Sequence, residues 1–288
     1  MAYLVNWIKA SRPKTLVASC VPIYVATQLF SQIYPPNERT LVLSLSCFLF
    51  IILIQVSTNF ANDYFDAKSG ADENRKNAPE RVVSSGRLKP QHVLYAALFL
   101  LLLSFCIGLF ILLYSQSSFW LLPLGVLCIF LAILYTGGPF PLAYNGLGDV
   151  FVVIFFGFVA VELTKYVLCS ASAVPFDFSM GVSFSVGLLI NNLLVINNYR
   201  DFENDQKVEK KTSIVLLGKN FGISLFLAGF LVPVFLGIHS NNYAILVILP
   251  TSVASLYFLL KNSSLISSNR SLSLSALSVV LYGLLCVT

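Results

Sequence analysis

The sequence predicts an all-α integral membrane protein with about nine transmembrane helices, and three observations predict it. Of its 288 residues 57% are hydrophobic and only 11% charged, where soluble domains carry about a quarter charged residues. Nine apolar stretches of about membrane-spanning length occur, at 15–32, 41–62, 93–114, 119–135, 148–168, 179–197, 221–238, 243–260 and 272–287. With the N-terminus on the cytoplasmic side, these spans put sixteen of the eighteen Lys and Arg residues inside and leave Arg39 and Lys165 outside, the bias that the positive-inside rule demands. The net charge of +5 is thereby explained by topology and phosphate binding, and gives no reason to propose nucleic acid as a partner.

Residues 3–14, with Trp7, Lys9, Arg12 and Lys14, suit an interfacial helix that leads into the first span. Arg12-Pro13-Lys14-Thr15 makes a basic corner, which simple anchoring at the membrane face explains equally well. No cleavable leader is expected, because only a few apolar residues separate Lys14 from the lipoprotein-like Val17-Ala18-Ser19-Cys20. The second span runs into Asn59, Asn62, Asp63 and Asp66, spaced by three and four so that their side chains share nearly one helix face. The following segment, 64–92, alternates acids with Arg75, Lys76, Arg81, Arg87 and Lys89. Its length and charge predict an ordered lid over a charged ligand.

Gly137-Gly138-Pro139-Phe140-Pro141 is expected to break the helix after Tyr135, and Gly146-Leu147-Gly148-Asp149 to start the fifth span. Asp149 reads first as a helix N-cap; the alternatives are that it orients a phosphate-binding lysine or binds an acceptor. Glu162 and Lys165, three apart near the outer end of that span, are expected to pair. The sixth span runs into Asn197, Asp201 and Asp205, at intervals of four, and is followed by Lys207, Lys210, Lys211 and Lys219. The second and sixth spans lie four crossings apart and point the same way, each followed by a basic loop and a glycine, Gly86 or Gly218. One domain made of two weak four-helix repeats, about 1–136 and 146–260, with a final helix added, fits this arrangement.

Four acids on two short helical faces repel one another by about 1 to 3 kcal/mol per pair at a separation of about 6 Å. A cation between them removes that cost. Hard divalent ions suit an oxygen-only cluster, and magnesium commonly combines one or two carboxylates with water and substrate phosphate. The flanking Lys and Arg would then meet the remaining phosphate oxygens, which implies a diphosphate ligand. The six cysteines are scattered singly and read as packing residues. His92 and His239 stand alone, and no nucleophile–base set, P-loop or dinucleotide fingerprint is present.

Asn59-x-x-Asn62-Asp63-Tyr64-Phe65-Asp66 with Gly70-Ala71-Asp72, and Asn197-Asn198-Tyr199-Arg200-Asp201-x-x-x-Asp205, closely resemble the paired motifs of the UbiA superfamily of intramembrane aromatic prenyltransferases. Within it the chain is most similar to members that prenylate 1,4-dihydroxy-2-naphthoate. Arg12-Pro13-Lys14-Thr15-Leu16, Tyr135-Thr136-Gly137-Gly138-Pro139, Gly146-Leu147-Gly148-Asp149 and Phe155-Phe156-Gly157-Phe158-Val159-Ala160-Val161 support this. The resemblance implies helices around a central cavity, with cytoplasmic cap loops after helices 2 and 6, in the cell (inner) membrane. It implies that Asp63, Asp66 and Asp72 hold magnesium on one side of a polyprenyl diphosphate and Asp201 and Asp205 on the other. Arg81 and Lys210 fall where basic diphosphate contacts are placed, Asn59, Asn62, Asn197 and Arg200 support the two clusters, and Lys14, Tyr135 and Asp149 are the acceptor-side candidates. Leu163, Lys165, Glu209 and Leu216 depart from the family's pattern, which bears on the acceptor pocket and one phosphate contact.

The expected reaction is ionisation of the allylic carbon–oxygen bond, attack by the electron-rich ring, and loss of the ring carboxylate as CO2. It needs a dry cavity, and aromatic side chains among the 24 Phe and 13 Tyr are available to face the cation. A sister enzyme acting on 4-hydroxybenzoate, homogentisate or haem would share the diphosphate machinery. A phosphatidyl-alcohol transferase is disfavoured because its glycine-spaced aspartate pattern is absent. A transporter is disfavoured because these acids lie at span ends instead of at the midplane.

Overall fold

A chain surrounded by lipid must satisfy its own backbone hydrogen bonds, and the described residues do so almost entirely with helices. The computed structural model describes residues 2–70, 72, 80–261 and 264–287, the side chains of Ala2, Lys14 and Ala18 excepted; Arg75, Lys76 and the Lys14 side chain therefore lie outside the described part. The helices are α1 (Ala2–Ser11), α2 (Pro13–Ile33), α3 (Glu38–Lys68), α4 (Pro90–Ser115), α5 (Leu121–Leu134), α6 (Gly148–Val152), α7 (Ala160–Ala171), α8 (Met180–Lys207), α9 (Ser213–Leu217), α10 (Lys219–His239), α11 (Ile248–Lys261) and α12 (Leu265–Leu285). A π-helical stretch, Val153–Val159, joins α6 to α7.

Every one of the nine apolar stretches is helical. Seven spans among the described residues are long and apolar enough to cross a membrane. The two that fall outside this count do so for different reasons. α5 has only 14 residues. α12 has 21, but it carries buried serines at 267, 268, 271, 275 and 278. Two of them bond to α11: Ser255 Oγ donates to Ser271 O at 2.8 Å and Ser271 Oγ returns a bond to Ser255 O at 2.9 Å, while Ser252 donates to Ser278 at 3.0 Å. Small hydroxylated residues let two helices approach closely in lipid and bond across the gap. Ser271→Leu is therefore expected to cost about 1 to 3 kcal/mol through overpacking, read as a lowered midpoint of thermal unfolding in detergent.

α3 and α8, with 31 and 28 residues, run about 46 and 42 Å. Each exceeds the roughly 30 Å hydrocarbon core, and Asp63 and Asp66 of α3, like Asp201 and Asp205 of α8, lie in the C-terminal turns. α8 is the helix around which the others pack. Its Val186, Leu189, Ile190, Val195 and Ile196 are buried with Val25 of α2, Phe226 and Phe230 of α10 and Val279 of α12. α8 crosses the π-helical stretch through two glycines: a Cβ on Gly187 would stand 2.6 Å from Val153 O, and one on Gly157 would stand 2.5 Å from Ser183 O.

The start of the chain is helical, as expected of an interfacial segment. Tyr3, Leu4, Val5 and Ile8 of α1 are exposed, and Trp7 packs edge-on against Phe60 of α3 at 5.3 Å. Pro13 is the first residue of α2, and the residue before a proline is kept from continuing a helix; Arg12 takes a positive φ of 52°. The described end of the segment after α3 is ordered by apolar anchors. Val82, Val83 and Leu88 are buried with Phe60, Val93 and Ala97.

Two local expectations are corrected. Glu162 and Lys165 do not pair with each other: Lys165 Nζ bonds Asp177 Oδ1 at 2.6 Å and Ser179 Oγ at 2.9 Å, while Glu162 Oε1 accepts from Ser179 N and from the Ser183 hydroxyl. Both side chains thus tie the 172–179 loop to the helix. Asp149 is not a cap: α6 begins after Leu147 without a side-chain cap bond, and the Asp149 carboxylate accepts from Asn191 Nδ2 at 3.0 Å and from the Ser213 hydroxyl.

Candidate active site

Helical periodicity puts the two acidic motifs on the last turns of α3 and α8, and packing brings those ends to one side of the molecule. Asp63 and Asp66 on α3, and Asp201 and Asp205 on α8, are all buried. A buried carboxylate is costly unless paired, and the chain supplies its own cations. Arg12, aimed by the turn before Pro13, forms an ion pair with Asp63. Arg81 Nη1 stands 3.3 Å from the same carboxylate and Arg81 Nε 3.8 Å from Asp72. Ser84 Oγ donates to Asp72 at 3.1 Å. Arg200 grips Asp201 with two parallel bonds, Nε at 2.7 Å and Nη2 at 2.8 Å.

Lys210 links the two motifs. It follows α8, its backbone N–H donates to Asp205 O at 2.8 Å, and its ammonium lies 4.0 Å from Asp66 at the end of α3. Tyr144, in the 3-10 turn Leu142–Tyr144, completes the contact: its hydroxyl donates to Asp66 Oδ1 at 2.7 Å, and its ring lies beneath the Lys210 ammonium at 4.8 Å. Burial, and after it the Asp66 carboxylate, pushes the Tyr144 phenol well above its ordinary pKa, so it remains a donor. The Lys211 N–H donates to Tyr144 O at 3.1 Å, within an isolated bridge between Asn145 and Lys211.

Beside these charges is a cavity of about 390 Å³. Arg12, Asn59, Asn62, Tyr135 and Asn197 are among its polar lining residues, and Ile54, Phe105, Phe151, Phe155, Leu163 and Leu194 among its apolar ones. Asparagines of both motifs therefore meet across one chamber. Asn59 is fixed by donating to Ser11 O at 2.9 Å and Thr15 Oγ1 at 3.2 Å. Asn62 accepts from Thr136 Oγ1 at 2.5 Å, and Asn197 donates to Leu193 O at 3.0 Å.

The expected site residues thus fall into three groups. Asp63, Asp66, Asp72, Arg81 and Lys210 form one connected network, with Asp201, Arg200 and Asp205 at the facing helix end. Asn59, Asn62, Asn197 and Tyr135 line the cavity. Asp149 does not line it, because both its oxygens are engaged between α6, α8 and α9. Among the described residues no three acidic, histidine or cysteine side chains stand close enough together, as placed, to hold a metal ion; the carboxylates hold the chain's cations instead. Sequence reasoning missed Arg12, Thr136 and Tyr144 as site residues. Arg12 carried a signal, its place directly before a proline, whereas Tyr144 carried none beyond a turn-rich setting.

Comparison with known proteins gives the family and the fold. The family model described as UbiA prenyltransferase family matches residues 19–282. A 1,4-dihydroxy-2-naphthoate octaprenyltransferase of Haemophilus influenzae is 36% identical over 220 residues, 74% of this chain and 69% of that protein. One of Mycobacterium tuberculosis is 34% identical over 76% of this chain and 72% of that protein. Among solved structures, a UbiA homologue from Archaeoglobus fulgidus bound to DMAPP and Mg2+ superposes with a TM-score of 0.61 at 14% identity, over 97% of this chain and 98% of that one. The apo structure of a UbiA homologue from Aeropyrum pernix superposes with a TM-score of 0.66 at 15% identity, over 94% and 95%. With helices of membrane-crossing length, two acidic helix ends on one side and a family match over nearly its whole length, this chain belongs to the UbiA prenyltransferase family and is a membrane-embedded prenyltransferase.

Proposed function

We propose that the chain transfers a polyprenyl group from polyprenyl diphosphate to 1,4-dihydroxy-2-naphthoate, releasing diphosphate and CO2, on the cytoplasmic side of the cell membrane. The observation that carries this reading is a cavity that is lined by asparagines from both acidic motifs and offers an apolar wall to a prenyl chain. The relatives at 34–36% identity act, by name, on that naphthoate acceptor.

The donor set fits magnesium. It is all oxygen, it is buried at two helix ends, and it holds Arg12, Arg81, Arg200 and Lys210 where positive charge is wanted. Asp63, Asp66 and Asp72 would hold the ion on one side and Asp201 and Asp205 on the other. When bound, magnesium neutralises charge on the diphosphate as it leaves. Arg81 and Lys210, beside Asp63 and Asp66, would turn from the carboxylates to phosphate oxygens. Arg12 borders the cavity, and its Nε is buried without a hydrogen-bond partner, which leaves a donor for an anionic substrate group. The apolar wall would keep water from the allylic centre, and Phe151 and Phe155, stacked at 5.6 Å, are among the aromatic residues that line the cavity. The ring carbon bonds to the allylic carbon as the carbon–oxygen bond breaks and its electron pair leaves with diphosphate. The ring's carboxylic acid then departs as CO2 and a proton, and aromaticity returns.

The test uses membranes or purified protein with carboxyl-labelled 1,4-dihydroxy-2-naphthoate, a polyprenyl diphosphate and Mg2+. Labelled CO2 and prenylated naphthoquinol are expected in equal amounts, and EDTA is expected to abolish both. Transfer to 4-hydroxybenzoate, homogentisate or haem in preference to the naphthoate would overturn the acceptor assignment while leaving the diphosphate chemistry in place.

A further inference from the structure

We propose that Tyr144 is a positioning residue for the metal and the diphosphate, through which the loop between α5 and α6 couples the two acidic helix ends. This inference rests on the diphosphate reading above and names a residue that the acidic motifs do not contain.

Three independent contacts meet at this residue. Its hydroxyl donates to Asp66 Oδ1 at 2.7 Å and lies 3.1 Å from Ser69 Oγ, at the next turn of the same helix end. Its ring supports the Lys210 ammonium at 4.8 Å. Its carbonyl accepts from Lys211 N at 3.1 Å. The first contact belongs to α3, the other two to the segment after α8, and the residue between them comes from neither.

The physical consequence follows from the geometry of carboxylate ligands. A carboxylate whose one oxygen is fixed by a hydrogen bond presents the other in a set direction, and loss of such an outer bond commonly costs 10- to 100-fold in metal affinity. The phenol ring in turn keeps Lys210 from collapsing fully onto Asp66, at 4.0 Å, and leaves the ammonium free to swing to a phosphate oxygen. One residue therefore sets both the direction of an acidic ligand and the resting place of a cation, and backbone bonding to Lys211 moves the two together.

Tyr144→Phe keeps the ring and removes the hydroxyl. In purified full-length protein with a non-ionising thiolo analogue of the prenyl diphosphate, the dissociation constant for Mn2+, read by electron paramagnetic resonance, is expected to rise 10- to 100-fold. In turnover the Mg2+ needed for half-maximal rate should rise by the same factor, with kcat recovering at saturating Mg2+. A merely structural role would lower kcat and thermal stability together and leave the metal dependence where it was. Should Tyr144→Phe fail to fold, Ser69→Ala, which loosens the same hydroxyl, is expected to raise the Mn2+ constant several-fold. An unchanged Mn2+ constant in a folded variant overturns the role of Tyr144 alone, whereas wild-type protein that binds neither Mn2+ nor the analogue overturns the diphosphate reading and this one with it.

Discussion

Asp66→Asn and Asp201→Asn are each expected to lower prenyl transfer by about 10²- to 10³-fold, the scale on which losing one preorganised electrostatic group acts, while the protein still inserts into membranes. Asparagine keeps the shape and one oxygen of each side chain but removes the charge. At Asp66 that leaves the Lys210 ammonium, the Tyr144 hydroxyl and the nearby Arg81 without the carboxylate they surround. At Asp201 it leaves a buried Arg200 guanidinium that had held both carboxylate oxygens. Protein amount in the membrane and the melting midpoint in detergent serve as controls. Turnover near the wild-type rate in either variant would mean that the acidic ends are not where the diphosphate is held.

Much of this site was legible because it lies on helices. A spacing of three and four fixes which side chains share a face whatever the rest of the protein does, so Asn59, Asn62, Asp63 and Asp66 are expected near one face; the structure divides them between the cavity wall, with Asn59 and Asn62, and the ion-pair network, with Asp63 and Asp66. Helical spacing says nothing about contacts made between loops. Tyr144 reaches Asp66 across 78 positions of sequence, and its partner Lys211 comes from a different loop again. Arg12 depends on a single backbone angle at the α1–α2 junction and on the docking of α1 against α3. The apolar pattern marks 272–287 as a span, but the helix begins at Leu265, because buried serines that lower its hydropathy also face inward, two of them toward α11. Lys165 illustrates the converse. Its spacing from Glu162 suggested a pair, but the 172–179 loop offered Asp177 and Ser179, and a loop's position is invisible to periodicity.

Gly187→Val is expected to disrupt the fold more than any single change in the acidic motifs, because it acts on the helix that carries one of them. The Cβ it adds would stand 2.6 Å from Val153 O and 3.0 Å from Val153 Cα, and both are backbone atoms that no side-chain rotation can clear. The π-helical stretch and α8 must then move apart along a contact that also contains Gly157, whose own Cβ position is 3.2 Å from Gly187 N. Overpacking in a close-packed interior costs about 1 to 3 kcal/mol, and a clash with backbone belongs at the upper end. Phe151, Phe155 and Phe156 lie on the α6-to-π side of the cavity and Leu193, Leu194 and Asn197 on the α8 side, so separation of these helices also alters the chamber. The expected result is a fall of several degrees in the melting midpoint in detergent together with a raised KM for the prenyl diphosphate. Gly181→Val, six residues away on the same helix with nothing within 4 Å of the added Cβ, should change neither; an equal effect of the two substitutions would show that helix propensity, and not the crossing, sets the cost.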